Sequence, residues 1–208
     1  MSLDIKVYPL GPLQENTYLL IDEATGEKAI VDPGYFGDYV VNDIGDESSL
    51  KYVILTHGHF DHFYAAKFYL EKYPDAKFLV PKNDKFLTEK DWTKDYVTRG
   101  YEDPTCPQAD IYVSDGDEYI LGEAKFKFIE TPGHTIGGCC ILFDEVIFTG
   151  DTLFKLSVGN TSFESGSWDD LINSIKNKLY TLDDDLVVYP GHGPVTSIGY
   201  EKRSNPFV

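Results

Sequence analysis

Cysteine is scarce in this sequence, basic residues are outnumbered, and no long apolar run exists. Its three cysteines, Cys106 and the neighbouring Cys139 and Cys140, cannot all pair and lack the spacing of a zinc knuckle, so neither a disulfide framework nor a cysteine-built zinc site is expected. They read as small hydrophobes in a reducing compartment. Lysine and arginine number 18 against 35 aspartates and glutamates, a formal charge of −17. That balance repels phosphate backbones and anionic lipid, so neither nucleic acid nor a membrane surface is an expected partner. No stretch approaches the ~18 apolar residues of a membrane span. The opening "MSLDIKVYPLGPLQENTYLL" has no basic segment followed by a continuous apolar one, and a soluble cytoplasmic protein is expected. Histidine too is sparse, at five residues.

What is present is a globular composition: 208 residues, 42% hydrophobic and 14% aromatic, enough for one sizeable core and read as one domain over 1–208. Short strand patterns cover 4–10, 16–22, 28–31 and 51–55, with "DPG" at 32–34 as a turn. A helical pattern over 62–73 stops before Pro74. "AKFLVP" continues the strands, and a polar, aromatic-rich excursion over 83–108 holds Trp92, Tyr96 and Tyr101. The second half repeats the scheme, with strands at 111–113, 118–121, 125–130, 139–143, 146–148 and 186–189 and a helix over 168–180 that Ser167 caps. Strand-rich halves flanked by helices predict an α+β arrangement of two sheets face to face with helices outside.

All five histidines fall in loops directly behind predicted strands. His57, His59 and His62 stand with Asp61 in "THGHFDH", His134 in "TPGHTIGG" and His192 in "YPGHGP"; Asp151 occupies a fourth such turn, "FTGDTLF". Strand-end loops are where a rigid scaffold presents functional groups. Residues two apart in an extended loop point the same way, so His57 and His59 can grip one ion while Asp61 and His62 face a second. Imidazole and carboxylate suit Zn²⁺, with iron or manganese as alternatives. Two ions ~3.5–4 Å apart call for a bridging group, and Asp151 is the candidate. With every histidine drawn into these loops, none is left to serve a serine or cysteine nucleophile.

The four motifs, in this order and spanning almost the whole chain, resemble the motif set of the metallo-β-lactamase fold hydrolases. The resemblance implies a four-layer αββα sandwich of two mixed sheets with a binuclear centre at one edge. It assigns one ion, Zn²⁺ in the first instance, to His57, His59 and His134, the other to Asp61, His62 and His192, and the bridge to Asp151. "GDTLF", "GNTSFESGS" and "YPGHGPVTSIGYEKRSNPF" are similar to the short bacterial glyoxalase II-like (hydroxyacylglutathione hydrolase-like) group. That likeness implies attack of a metal-bound hydroxide, oriented by Asp61 as the catalytic residue, on a thioester or ester carbonyl of a small acyl substrate such as a glutathione thioester. The alternatives are an iron-dependent redox enzyme of the same fold, persulfide dioxygenase-like, against which the second ligand set at Asp61 and His192 speaks, or a lactonase or phosphodiesterase.

Three departures qualify the likeness. Gly150-Asp151-Thr152 offers no cysteine ligand of the kind the main zinc class of β-lactamases carries, which argues against antibiotic hydrolysis. Asn160 stands where the short relatives usually have an arginine, and the sequence ends at Val208 without the helical region through which full-length glyoxalase II meets glutathione. Lys155, Lys202 and Arg203 are the cations that would compensate. Phe60, Phe63 and Phe154 are candidate pocket walls, Trp92, Tyr96 and Tyr101 a candidate lid, and Thr56, Thr131 and Thr149 candidate orienting groups for the ligands.

Overall fold

Neighbouring residues along the central strands belong to different cores. In Glu15–Asp22, Leu19 packs on one side of its sheet while Tyr18 and Leu20 pack on the other; Ile30 parts in the same way from Ala29 and Val31, and Leu79 from Phe78 and Val80. Strands that are apolar on both faces must be covered on both, and this fixes a layered architecture.

The structure, a computed structural model, describes residues 3–93, 99–102 and 105–208; the expected lid residue Tyr96 lies outside them. One sheet runs in sequence order, β1 (Leu3–Leu10), β2 (Glu15–Asp22), β3 (Lys28–Val31), β4 (Leu50–Ile54), β5 (Lys77–Pro81) and β6 (Ile111–Val113). The second contains β7 (Glu118–Leu121), β8 (Ala124–Glu130), β9 (Cys139–Leu142) and β10 (Val146–Gly150). A small hairpin of β11 (Leu153–Phe154) and β12 (Ser157–Val158) intervenes before β13 (Val187–Pro190) and β14 (Thr196–Ser197) complete the second sheet, in the order β14-β13-β10-β9-β8-β7. Both sheets are mixed: β3, β4, β5 and β6 pair in parallel, as do β10 and β13, and the remaining pairs are antiparallel.

Between the sheets, Tyr18, Leu20, Ile54 and Leu79 meet Phe126, Phe128, Ile141 and Phe148, with Tyr18 set edge-on to Phe148 at 5.0 Å. Outside the first sheet, helices Asp38–Ile44, Phe60–Phe63 and Ala66–Lys72 bury Val40, Ile44, Phe63 and Tyr69. Outside the second, helices Trp168–Ser174 and Ile198–Ser204 cover Cys140, Ile147 and Val188 with Leu171 and Ile198. The result is the expected α+β, four-layer αββα sandwich. Cys139 and Cys140 are buried without a disulfide, and Cys106 is half-buried. Among the described residues, no helix is long and apolar enough to cross a membrane.

Two helices depart from their expected form. The pattern over 62–73 is broken at Ala65, whose amide donates to the Pro33 carbonyl at 2.8 Å instead of continuing the helix. The chain there packs on the "DPG" turn: a Cβ on Gly34 would lie 2.0 Å from the Asp61 carbonyl oxygen, which only glycine permits. In the second helix, Ser167 caps the start by accepting from the Asp170 amide at 3.3 Å, but the end widens into a π turn over Ile175–Leu179.

Candidate metal centre

The strands β3, β4, β8, β10 and β13 all point their C-terminal ends to one edge of the sandwich, because the pairings set them in a common direction within each sheet. The residues that follow them are Asp32, His57, His134, Asp151 and His192. The loops are tied together through their backbones: the Asp32 amide donates to Ile54 O, the Cys139 amide to Thr56 O and the Gly191 amide to Gly150 O, each within 2.9 Å. Asn16 adds a staple, its amide nitrogen donating to Pro190 O at 2.9 Å and Gly193 O at 2.8 Å. Gly191 must be small, since a Cβ there would sit 2.4 Å from Asp151 Oδ1.

Two groups of donor atoms result. His57 Nε2 lies 3.1 Å from His59 Nδ1, which lies 2.9 Å from His134 Nε2. On the other side, Asp61 Oδ2 is 4.0 Å from His62 Nε2 and 3.5 Å from His192 Nε2. Asp151 stands between them, Oδ2 being 3.4 Å from His134 Nε2 and Oδ1 being 3.4 Å from His62 Nε2 and 3.8 Å from His192 Nε2. The structure therefore brings all seven expected ligands together, and each group could hold one cation.

The outer hydrogen bonds decide which ring nitrogens are bare. The Thr56 hydroxyl donates to Asp32 Oδ2 at 2.6 Å, so it must accept from His57 Nδ1 at 3.1 Å. His134 Nδ1 donates to the Asn160 carbonyl at 2.7 Å, and His62 Nδ1 to Asp32 Oδ2 at 3.0 Å. Nε2 of His57 and of His134 is thereby left with a lone pair directed inward, and His62 turns its Nε2 to the same place. Two of those lone pairs converge on His59 Nδ1, where a single proton could serve only one. His62 Nε2 faces Asp151 Oδ1, and both atoms are buried without a hydrogen-bond partner. Inward-facing lone pairs with nothing to share suit a pair of divalent cations, and the donor set fits them.

The electrostatics follow the same division. Burial pushes His57 well below the usual histidine range and His59 down to about 3, with the neighbouring imidazoles adding to the effect. Both are neutral ligands-in-waiting at neutral pH. Burial would lower His62 as well, but Asp151 and Asp32 outweigh it and hold that ring well above its ordinary value. Asp151 and Asp61 are driven up by burial and more strongly down by the histidines, so both remain ionised at neutral pH.

Three buried carboxylates that the sequence reading had not singled out build the surroundings. Asp32, in "VDPG", accepts from the Thr56 amide at 2.7 Å as well as from Thr56 Oγ1 and His62. Asp84 accepts from the Gly58 amide at 2.8 Å, Thr135 Oγ1 at 2.7 Å and the Gly137 amide at 2.7 Å, tying the His57 loop to the His134 loop. Glu15 accepts from Thr17 Oγ1 at 3.0 Å while its Oε1 has no partner. Burial, with the Asp32 carboxylate close by, pushes Glu15 well above its ordinary 4.5 against the pull of His62. A folded value above the unfolded one gives a contribution that is complete below that pH and fades as pH rises through the folded value. Glu15→Gln is therefore expected to make metal-free protein less sensitive to alkali, and thermal melts of both proteins from about pH 5 to about pH 9 check it.

A cavity of about 400 Å³ opens over the centre, floored by Asp61 and Asp151 and walled by Phe60, Trp92 and Phe163. The His59 ring is held edge-on between Trp92 at 5.7 Å and Phe163 at 5.2 Å. Other candidates sit elsewhere. Phe63 belongs to the core and not to the cavity, Phe154 lies edge-on to His192 at 6.2 Å without lining the cavity, and Lys155 is over the Tyr200 ring at 5.8 Å. Asn160 turns its side chain to its own loop, accepting from the Ser162 amide, and meets the centre only through its carbonyl. Lys202 and Arg203 pair with Asp184. Of the threonines, Thr56 alone bonds to a histidine ring; Thr131 meets Thr152 and Thr149 bonds to Leu153 O. Trp92 and Tyr101 are both buried, but only Trp92 reaches the cavity.

Comparison with known proteins agrees with this geometry. The sequence profile of the metallo-beta-lactamase superfamily matches residues 10–192. Hydroxyacylglutathione hydrolase GloC of Haemophilus influenzae is 34% identical over 215 residues, covering 99% of this chain and 98% of that protein. Among solved structures, the B3 metallo-beta-lactamase BLEG-1 superposes with a TM-score of 0.87 at 31% identity, over 98% of this chain and 99% of that one. TTHA1623 in a di-iron-bound form gives 0.83 at 31% identity, over 98% and 100%.

Proposed function

Because this chain belongs to the metallo-beta-lactamase superfamily, we propose that it is a hydrolase with two divalent ions that cleaves a thioester or ester of a small acyl group, in the manner of a hydroxyacylglutathione hydrolase. The observation that carries the reading is the placement of Asp151, one oxygen turned to each group of donors. His57, His59 and His134 would hold one ion, Asp61, His62 and His192 the other, and Asp151 both. Bound there, the ions would supply Lewis-acid polarisation of the carbonyl and a water acidified from ~15.7 toward ~7.

The protein's own groups do the rest. Asp61, ionised and half-buried at the cavity floor, is an acceptor that can fix the orientation of an attacking water. Phe60, Trp92 and Phe163 keep bulk water from the reacting carbonyl. All five histidines are engaged in the centre, so no imidazole is free to protonate a poor leaving group. A thiolate leaves without that help and an amine does not, which favours a thioester. Zn²⁺ suits the nitrogen-rich donors, and the di-iron form of TTHA1623 makes iron the alternative to test.

Chelation should abolish thioester hydrolysis and restoration of Zn²⁺ should return it, with elemental analysis giving two ions per chain. A panel of thioesters, lactones, phosphodiesters and β-lactams on the metal-replete protein checks the substrate class, the β-lactams because BLEG-1 shares the fold. Turnover of phosphodiesters alone would refute the acyl-hydrolase reading. One iron per chain with oxygen consumption would refute hydrolysis itself.

A further inference from the structure

The cavity over the centre has a charged rim that hydrolysis alone does not require. Lys90 and Arg99 are its only lysine and arginine among the described residues, in a chain of net charge −17. Lys90 Nζ lies 2.8 Å from Glu164 Oε2 and 4.3 Å from the centroid of the Trp92 ring. The pair joins the 83–108 segment to the loop behind Asn160 across the mouth of the cavity. Both partners are open to solvent, so the pair has little net strength and its carboxylate is readily exchanged for another. Arg99 has no ion-pair partner among the described residues, and its planar fork suits a carboxylate. Below the rim, Trp92 and Phe163 offer flat apolar walls on either side of His59.

We propose that Lys90 and Arg99 form the recognition site for a carboxylate carried by the substrate, whose apolar part lies against Trp92 and Phe163. Lys90 exchanges Glu164 for that carboxylate on binding. The substrate class is then an anionic thioester rather than a neutral one, and this rests on the hydrolase reading above. The overall acidity of the protein sharpens the requirement: an anion is repelled at a distance, so its binding depends on local cations.

The test compares two thioesters of the same acyl group, one of 3-mercaptopropionate and one of its primary amide. Metal-replete wild-type protein is expected to prefer the acid by about tenfold or more in kcat/KM, chiefly through KM, as a charge-assisted hydrogen bond would give. In the Lys90→Met/Arg99→Met double variant the ratio should fall to near one. A second readout needs no turnover: in a Trp168→Phe background, which leaves Trp92 as the remaining tryptophan, fluorescence of metal-free protein is titrated with the thioether analogue of the acid and of the amide. The acid should give a saturable, salt-sensitive change that the double variant loses. Equal kcat/KM for acid and amide in the wild type, or a preference that survives the double substitution, would overturn the proposal. Turnover without discrimination would remove this subsite and leave the hydrolase standing; a Trp92 response without turnover of either thioester would do the reverse.

Discussion

Asp151→Ala is expected to leave at most one tightly held ion per chain and to lower kcat for thioester hydrolysis by about a thousandfold or more, the range in which a centre loses its transition-state electrostatics. The cause is positional. Asp151 places one oxygen 3.4 Å from His134 Nε2 and the other 3.4 Å from His62 Nε2, and among the described residues no other carboxylate comes within 4.0 Å of ring nitrogens in both groups. Without it, two ions would stand side by side with no anion between them. Folding should survive, because Asp151 lies at the floor of the cavity and outside the three apolar cores. Elemental analysis, hydrolysis rates and circular dichroism together decide the matter; two retained ions with a rate near wild type would exclude the bridging role.

The second large effect concerns stability. Asp84→Ala removes a fully buried acceptor from three donors: the amides of Gly58 and Gly137 and the hydroxyl of Thr135. The hydroxyl can turn elsewhere, but the two amides cannot. At ~1–3 kcal/mol for each orphaned buried group, the expected loss is about 3–5 kcal/mol, a large share of the ~5–15 kcal/mol that holds a domain folded. Asp84→Asn should fall between, because its amide nitrogen would face an N–H donor. Urea unfolding of the metal-free proteins measures this, and a loss below about 1 kcal/mol would show that water replaces the carboxylate. The substitution should also weaken hydrolysis, since the same three bonds hold the His57 and His134 loops against each other.

The layered fold was legible because its strands are apolar on both faces, as Ile54 and Leu79 and their neighbours show, and that pattern has few solutions. The ligands were legible because the chain holds only five histidines, all placed behind strands. What stayed hidden was hidden for physical reasons. Asp84 lies in a polar turn that reads like any solvated one, and only tertiary contact with Gly58 and Gly137 reveals its burial. Asp32 did leave a signal, an aspartate beside Pro and Gly directly after an apolar strand, the same form as Asp151, but the turn explained it well enough. The two-residue strands β11, β12 and β14 are too short for any period. The helix Ile198–Ser204 was masked by its exposed charges, though Ser197, which accepts from the Tyr200 amide, marks its start. The cations at the cavity were misplaced for a related reason: Lys155 is close to the centre in sequence, whereas Lys90 and Arg99 arrive from an excursion that carries no periodic signal.

That excursion, between β5 and β6, turns only some of its described residues inward: Asp84 ties the ligand loops and Leu87, Trp92 and Tyr101 pack into the core outside the first sheet, while Lys90 and Arg99 stay at the surface. Its outward positions can therefore be rewritten by inheritance while its inward ones and the strands beneath stay as they are. The centre is anchored to the layers and the rim is not. Descendants of such a chain would keep the same bond-breaking apparatus while the molecules admitted to it diverge.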